Sequence, residues 1–206
     1  MSDIIFLSNV RLSFPHLVEA HASTEGGVKK YSADFLLPLD SDGLKQFMTQ
    51  YQALAVTKWG EHAPQVMTLI QAERKLRCYG MGTEKVDKKT FKPYAGYDGC
   101  AYIAANKDQP PQMIQSDGTP VPADNSMAYQ QLARRLYGGC YVNAAIKPWL
   151  QENKHGRGIR CDLVAIQFSK DGEAFGEGAT DASGMFGAVA SAAPAAPAAG
   201  FPSFLG

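Results

Sequence analysis

Apolar and polar residues alternate most regularly between Cys140 and Leu150. The even positions are apolar side chains and one proline: Cys140, Val142, Ala144, Ile146, Pro148 and Leu150. The odd positions are Tyr141, Asn143, Ala145, Lys147 and Trp149. Because successive side chains of a strand point to opposite faces, the pattern predicts a strand with one aliphatic face and one aromatic, basic face. Such a face suits flat, anionic ligands, although an ordinary hairpin whose rings cover a neighbouring loop gives the same pattern.

A basic turn over 153–158 and a return strand over 159–168 are predicted to complete this segment as a hairpin. Lys154, His155 and Arg157 lie between glycine and polar residues in the turn, where cations and bare backbone amides can approach a ligand. Arg160 stands at the start of the return strand.

The rest of the chain is predicted to form four further strands and three helices, separated by loops. Strands are predicted over 4–14, 29–39, 76–82 and 99–106, and Pro15 is expected to end the first. Helices are predicted over 42–59, 62–72 and 127–136. Loops are predicted over 16–28, which contains His16 and His21, and over 107–125. This order predicts a mainly β fold with α insertions, namely an OB-type five-stranded Greek-key barrel with extra helices.

Cations and aromatic residues interleave between Arg74 and Tyr97. Residues 74–92 hold seven basic residues against two acidic ones, and Phe91, Tyr94 and Tyr97 follow at close spacing. A charge run of this kind is usually a solvated loop, but cations mixed with aromatics and glycine also form grooves for single-stranded nucleic acid.

The charge and composition of the chain change towards its end. The first 170 residues contain all 20 basic residues and 16 of the 20 acidic ones, so a neutral total hides a mildly basic body. After Gly176 the chain is rich in Ala, Gly, Pro and Ser, a composition that cannot bury enough apolar surface to become ordered. We therefore predict a domain over 1–176 and a flexible tail over 177–206 that is dispensable for folding.

The cysteines and apolar runs predict a soluble intracellular protein. Cys78, Cys100, Cys140 and Cys161 are far apart and form no metal-binding motif. Each lies in an apolar or strand-like run, which favours buried free thiols and a reducing cytoplasm. No segment approaches the roughly 18 apolar residues of a membrane span, and the N-terminal residues do not resemble a signal peptide.

Catalytic signatures are missing from the sequence. It contains no GxSxG or HExxH motif, no phosphate-binding loop and no cluster of carboxylates. A non-enzymatic protein without cofactor or metal is therefore expected. A nuclease whose acidic residues assemble from distant strands remains an alternative.

Four motifs in order along the chain resemble those of phage single-stranded DNA-binding proteins of the replication type. They are NVRLSFPHLVEA, KKYSADFLLPLD, GGCYVNAAIKPW and AIQFSKDGEAFG, and the resemblance spans most of residues 8–176. It implies an OB fold, sequence-tolerant binding of single-stranded DNA in the host cytoplasm during replication, recombination or repair, and an acidic tail that contacts replication proteins. The tail departs from the family pattern, since Glu177 and Asp181 are its only acidic residues.

Pattern and resemblance together predict a DNA-binding set in which cations neutralise phosphates and aromatic rings stack on bases. Its members are Arg77, Tyr79, Lys88, Lys89, Lys92, Tyr94, Tyr102, Tyr141, Lys147, Trp149, Arg157 and Arg160. A phage structural or assembly protein with a similar barrel is the main rival hypothesis. The oligomeric state does not follow from the sequence.

Overall fold

A computed structural model describes residues 3–22, 25–124, 126–153 and 156–176. The tail predicted over 177–206 lies outside these residues, as do Lys154 and His155 of the predicted basic turn. None of the helices in the described ranges is long and apolar enough to cross a bilayer.

The described residues form eight strands and three α-helices. The strands are β1 (Ile5–His21), β2 (Lys30–Pro38), β3 (Tyr79–Met81), β4 (Cys100–Lys107), β5 (Gln112–Ile114), β6 (Pro120–Val121), β7 (Tyr141–Asn153) and β8 (Gly156–Lys170). The helices are α1 (Asp42–Trp59), α2 (Ala63–Ala72) and α3 (Met127–Arg134). Short 3-10 turns lie at Gly60–His62, Arg74–Leu76 and Gly82–Glu84.

Five long strands close into a barrel. Antiparallel pairing connects them in the order β4-β2-β1-β7-β8, and a parallel contact between β4 and β8 at Asn106 and Asp162 closes the ring. Counted along the chain, the five barrel strands are β1, β2, β4, β7 and β8. The third of them, β4, lies beside the fifth, β8. This is the Greek-key arrangement of an OB fold, and the predicted fold class is confirmed. β3, β5 and β6 extend the sheet outside the ring.

The alternation in β7 sorts its side chains as the sequence predicts. Val142, Ala144 and Ile146 are buried, whereas the residues between them are at least partly exposed. β8 pairs with β7 along its whole described length, so the predicted hairpin is confirmed. The aliphatic face fills the barrel, and the aromatic, basic face points outward.

Helix α1 packs one apolar face against the barrel. The Ser41 hydroxyl oxygen accepts a hydrogen bond from the Leu44 backbone N–H at 3.4 Å and caps the first turn. The buried residues recur at helical spacing: Phe47, Tyr51, Ala55 and Trp59. The predicted bounds of this helix are confirmed, because both the cap and the spacing are local signals.

Strand β1 continues beyond Pro15 to His21, so the prediction that the strand ends at Pro15 is wrong. Between Ser13 and His16 β1 advances by three residues while β2 advances by two, which is a β-bulge. Phe14 has φ of 45° at this point. A proline is tolerated in a bulge because its missing N–H does not interrupt a regular ladder. His16 and His21 consequently lie in a strand, and their rings stack at 4.3 Å.

The segment predicted as a loop over 107–125 contains two short strands. β5 pairs in parallel with β8, and β6 pairs with β5. Strands of two or three residues are too short to show alternation, so pattern alone did not reveal them.

Candidate nucleic-acid interface

A groove lies on the outside of the barrel, where β2 begins and β4 ends beside β7 and β8. It has a volume of about 540 Å³ and is named here the Trp149 groove. Its lining residues are Lys30, Asn106, Lys107, Asp108, Gln109, Lys147, Trp149 and Asp162. Three lysines and an indole ring in one groove provide both charge for phosphates and a flat face for bases.

The Trp149 ring is held at the groove by one hydrogen bond. Its Nε1–H donates to Asp162 Oδ1 at 2.7 Å, and 38% of the residue is exposed. The indole is therefore oriented but not covered, as a stacking residue requires.

Two lysines of the Trp149 groove form exposed pairs with acidic residues. Lys147 Nζ lies 3.4 Å from Asp3, and Lys30 Nζ lies 3.3 Å from Asp108. These pairs are substantially exposed to solvent, where such pairs contribute about 0–1 kcal/mol. Phosphate groups can therefore replace the carboxylates at little cost.

A hairpin that joins β3 to β4 carries the second basic group. It comprises residues 85–94 and is called here the lysine finger. The Tyr94 N–H donates to the Lys85 carbonyl at 3.1 Å, and the Asp87 N–H donates to the Lys92 carbonyl at 2.9 Å. The side chains of Lys88, Lys89 and Lys92 are exposed around its tip. The structure thus brings together three of the predicted cations.

The base of the lysine finger is anchored in a small apolar cluster on the outer face of β2 and β4. Asp34 is buried there, pairs with Lys85 and accepts a hydrogen bond from the Tyr97 hydroxyl at 2.6 Å. Burial, followed by the nearby Asp34 charge, raises the pKa of Tyr97. Lys85 Nζ also lies 4.7 Å from the centre of the Tyr102 ring. The Asp34–Lys85 pair and its contacts with Tyr97 and Tyr102 hold the finger base in one position.

Close approach of the chain at Gly82 is part of this anchor. Gly82 is buried beneath Tyr97, and a Cβ at Gly82 would collide with the Tyr97 carbonyl oxygen.

Tyr94 packs edge-on against Phe14, with ring centres 5.0 Å apart. Tyr94 is therefore half-buried, with part of its ring against the fold.

The structure places Tyr79 and Tyr102 in the interior, which corrects their predicted stacking role. Tyr79 is 5% exposed and its hydroxyl donates to the Tyr51 hydroxyl at 2.8 Å. Tyr102 is 2% exposed and lies under the finger base with Tyr97 and Leu36. Neither ring has a face open to a base.

Arg77 also forms its hydrogen bonds inside the fold rather than at the surface. Its guanidinium donates two hydrogen bonds to Glu84, at 2.8 and 3.1 Å, and its side chain is buried. The hydrogen bond to Glu84 raises the pKa of Arg77. Breaking this two-bond pair to reach a phosphate would leave Glu84 without its partner, so the structure disfavours the predicted phosphate contact.

Tyr141 lies at the other end of β7 from Trp149. Eight residues separate them, roughly 26 Å along a strand. Lys170 Nζ is 4.6 Å and the Arg11 guanidinium carbon 5.6 Å from the centre of the Tyr141 ring. Tyr141 and Trp149 therefore share a strand face but belong to different surfaces.

Arg157 and Arg160 lie near the tip of the β7–β8 hairpin. The Arg157 Nε–H donates to Glu152 Oε1 at 2.8 Å, and the Arg160 Nε–H donates to Gln151 Oε1 at 3.0 Å. Arg157 is exposed and Arg160 half-buried. Arg160 also donates to the Ile159 carbonyl at 3.3 Å, and because a guanidinium has five N–H groups, both arginines keep donors for an anion.

Sequence reasoning missed several residues of these surfaces. Lys30 and Lys107 were not in the predicted set, because neither lies in a dense basic run. The burial of His16, followed by the proximity of His21, lowers the pKa of His16 and so favours its neutral imidazole near pH 7. Phe91 lies within the finger, where no strand or helix period indicates which side chains are exposed.

No three His, Cys, Asp or Glu side chains in the part of the chain that the structure describes are grouped so that they could hold a metal ion. Three of the four cysteines are buried, and Cys100 is partly exposed. The prediction of buried free thiols is confirmed for those three.

An OB barrel with a basic and aromatic surface on its second and third strands defines a class of oligonucleotide-binding modules. The chain belongs to the family described as the single-stranded DNA-binding protein of Enterobacter phage Enc34, whose family model matches residues 3–195. The predicted family resemblance is thereby confirmed.

Individual proteins are similar to this chain in sequence or in fold. A protein of Acyrthosiphon pisum secondary endosymbiont phage 1, named putative protein p50, is 31% identical over 173 residues, covering 83% of this chain and 85% of the relative. The structure of the bacteriophage Enc34 single-stranded DNA-binding protein in complex with ssDNA is similar with a TM-score of 0.65 and 28% identity, covering 84% of this chain and 90% of that one. The bacteriophage T7 single-stranded DNA-binding protein gp2.5 shares the fold, with a TM-score of 0.50, 10% identity, and coverage of 82% and 92%.

Proposed function

We propose that this protein binds single-stranded DNA without sequence preference, along the outer face of β2 and β4. The observation that carries the proposal is that the Trp149 groove and the lysine finger lie on the same face of these two strands. The β2–β4 register is continuous from Tyr31 and Lys107 to Pro38 and Cys100, so residues at every second position share a side. Lys30 at the groove and Asp34 under the finger are an even number of positions apart, so their side chains lie on the same side of β2.

The spacing of the two basic groups suits one extended strand. Lys30 and Asp34 are four residues apart, roughly 13 Å along β2. Between them the face is open at Ser32 and its partner Asn106, both partly exposed. A single strand that crosses this gap contacts both groups, whereas a duplex keeps its bases stacked on each other and out of reach of Trp149.

The chemical roles divide between charge and stacking. Trp149 stacks on a base, and the cations of the two groups and the hairpin tip neutralise phosphates. The phosphate-binding residues proposed are Lys88, Lys89, Lys92, Lys147, Arg157 and Arg160, with Lys30 and Lys107 added from the geometry. Tyr94 and Tyr141 stay in the proposal as edge contacts, because each ring is partly exposed.

The proposal extends to the biological role. The protein acts without catalysis of its own in phage DNA replication, recombination or repair in the cytoplasm of the host cell, and residues 177–206 contact replication proteins. The family assignment supports the DNA-binding role.

The experiment that tests this function is a titration of intrinsic tryptophan fluorescence with oligo-dT in the absence of divalent metal. Quenching that saturates with oligo-dT and is much weaker with duplex of equal length is the expected result, because the duplex offers no free base to Trp149. Equal affinity for duplex contradicts the proposal. Magnesium-dependent shortening of the oligonucleotide indicates a nuclease, and no affinity for nucleic acid favours an assembly protein.

A further inference from the structure

We propose that the lysine finger is a second base-binding point, at which Phe91 stacks on a nucleobase while the neighbouring lysines hold the flanking phosphates. This inference rests on the proposed binding of single-stranded DNA and adds a residue outside the Trp149 groove.

Phe91 is unusually exposed for its type. It is 80% exposed, the largest value for a large hydrophobic side chain in the described ranges. Its ring stacks on no other aromatic ring among those residues, so the fold gains little from it. A ring that contributes little to packing is free to contact a ligand.

The backbone at Phe91 makes a large residue an unexpected choice. Its φ is 55°, in the left-handed region where glycine and asparagine are the usual residues. The conformation is fixed by the Phe91 N–H, which donates to the Asp87 carbonyl at 2.8 Å, and by the Asp87 carboxylate, which accepts the Lys89 N–H at 2.6 Å. The turn thus presents an aromatic ring at a position that a smaller residue would occupy with less strain.

The charges around the ring favour an anionic polymer as its ligand. Lys88, Lys89 and Lys92 are exposed beside Phe91, and the one acidic residue of the tip, Asp87, is engaged by backbone N–H groups. A base stacked on Phe91 would have its phosphates within reach of three cations. A stacking ring among lysines is the arrangement of sequence-tolerant single-strand sites.

A groove leads from the finger across the fold. It has a volume of about 750 Å³ and is bounded by Phe14, Tyr94 and Phe175 on the apolar side and by Lys92 on the basic side. The protein end of the lysine finger is fixed, because Asp34 binds both Lys85 and Tyr97. Phe91 is therefore presented from a fixed support.

The test compares Phe91→Ala with Phe91→Leu, Phe91→Tyr and the matched control Phe6→Ala in titrations with fluorescently labelled oligo-dT. Phe6 is also an exposed phenylalanine, at 60%, but lies on β1 beside α1. Phe91→Ala and Phe91→Leu are expected to weaken binding roughly five- to hundredfold, while Phe91→Tyr and Phe6→Ala bind like the wild type. Thermal melts of all four variants should match the wild type within a few degrees, because Ala, Leu and Tyr keep the strained φ that Phe91 already has and the ring lost from Phe6 is exposed.

The outcomes separate this inference from the proposed function. If Trp149→Ala weakens binding and Phe91→Ala does not, the finger contact is overturned and the DNA-binding function stands. Full affinity in Phe91→Leu overturns the stacking role, because leucine has no π-face. If the wild type does not bind oligo-dT, the proposed function itself fails.

A direct reporter completes the test. Phe91→Trp is placed in a Trp149→Phe background, where the remaining native tryptophan is the buried Trp59. Quenching of its emission by oligo-dT is expected. A response to anionic phospholipid vesicles but not to oligo-dT makes the finger a membrane contact and overturns the inference.

Discussion

At the scale of single residues, the two tryptophans of the chain lie in opposite environments. Trp59 is 7% exposed at the end of α1, and Trp149 is 38% exposed on β7. We expect Trp149→Ala to weaken binding of oligo-dT by about 1–3 kcal/mol with little change in stability. Trp59→Ala should instead lower the free energy of unfolding by about 3–5 kcal/mol and leave the affinity of the folded protein unchanged.

Urea unfolding and oligonucleotide titration of the two variants distinguish these effects. Since the same side chain is truncated in both, differences arise from the sites alone. A Trp149→Ala protein that unfolds as readily as Trp59→Ala, yet binds normally once folded, would place the indole of Trp149 in the core and the DNA elsewhere.

The thiols provide a second test at this scale. Burial raises the pKa of Cys78 to about 12 and that of Cys140 to about 11, and it raises the pKa of Cys161 as well. These thiols are protonated and shielded at pH 8, whereas Cys100 is partly exposed to solvent. Labelling with a thiol reagent in native buffer should modify one cysteine per chain slowly and all four in denaturant. Fast labelling of two or more in native buffer contradicts this burial.

At the scale of elements, local signals could be read from the sequence and long-range contacts could not. The strand β7 and the helix α1 follow from a period of two and a cap with helical spacing, and both are confirmed. Tyr79 and Tyr102 alternate as an outward-facing pattern would, but α1 covers one and the lysine finger covers the other. The alternation of residues within a strand does not indicate which of its two faces a distant segment of the chain will cover.

The anchor of the lysine finger sets an expectation for a buried ion pair. Asp34→Ala leaves Lys85 without its partner in a sheltered site and should lower the free energy of unfolding by about 3–5 kcal/mol. The exposed pair of Asp3 and Lys147 is the matched control, and Asp3→Ala should change stability by about 1 kcal/mol or less. Urea unfolding measures both.

The anchor also couples stability to the interface. In Asp34→Ala the finger base loses the partner of both Lys85 and Tyr97, so affinity for oligo-dT should fall under conditions where the variant is still folded. Equal losses of stability in Asp34→Ala and Asp3→Ala would show that the buried pair has no special role.

At the scale of the whole molecule, an OB barrel leaves the outer face of its second and third strands available for a ligand. Here half of that face is covered by the finger base, and the other half opens into the Trp149 groove. The proposed ligand surface combines three separate segments: the start of β2, the finger and the β7–β8 hairpin. The basic and aromatic residues of the finger and the hairpin stand out in the sequence, whereas Lys30 and Lys107 join them only through the order of the strands.

The distribution of charge sets the salt dependence of binding. Log affinity falls with log salt by about 0.7 per neutralised phosphate on a single strand, so roughly three to five contacts give a slope of about −2 to −3.5. The double variant Lys88→Gln, Lys89→Gln removes two contacts and should make the slope shallower by about 1.4. Lys45→Gln removes an exposed cation from α1, beside the separate groove that contains Phe6, and should leave the slope unchanged. Titrations at several salt concentrations measure all three slopes; a flat response in the wild type, or equal effects of the finger and α1 variants, would mean that general charge rather than this face attracts the DNA.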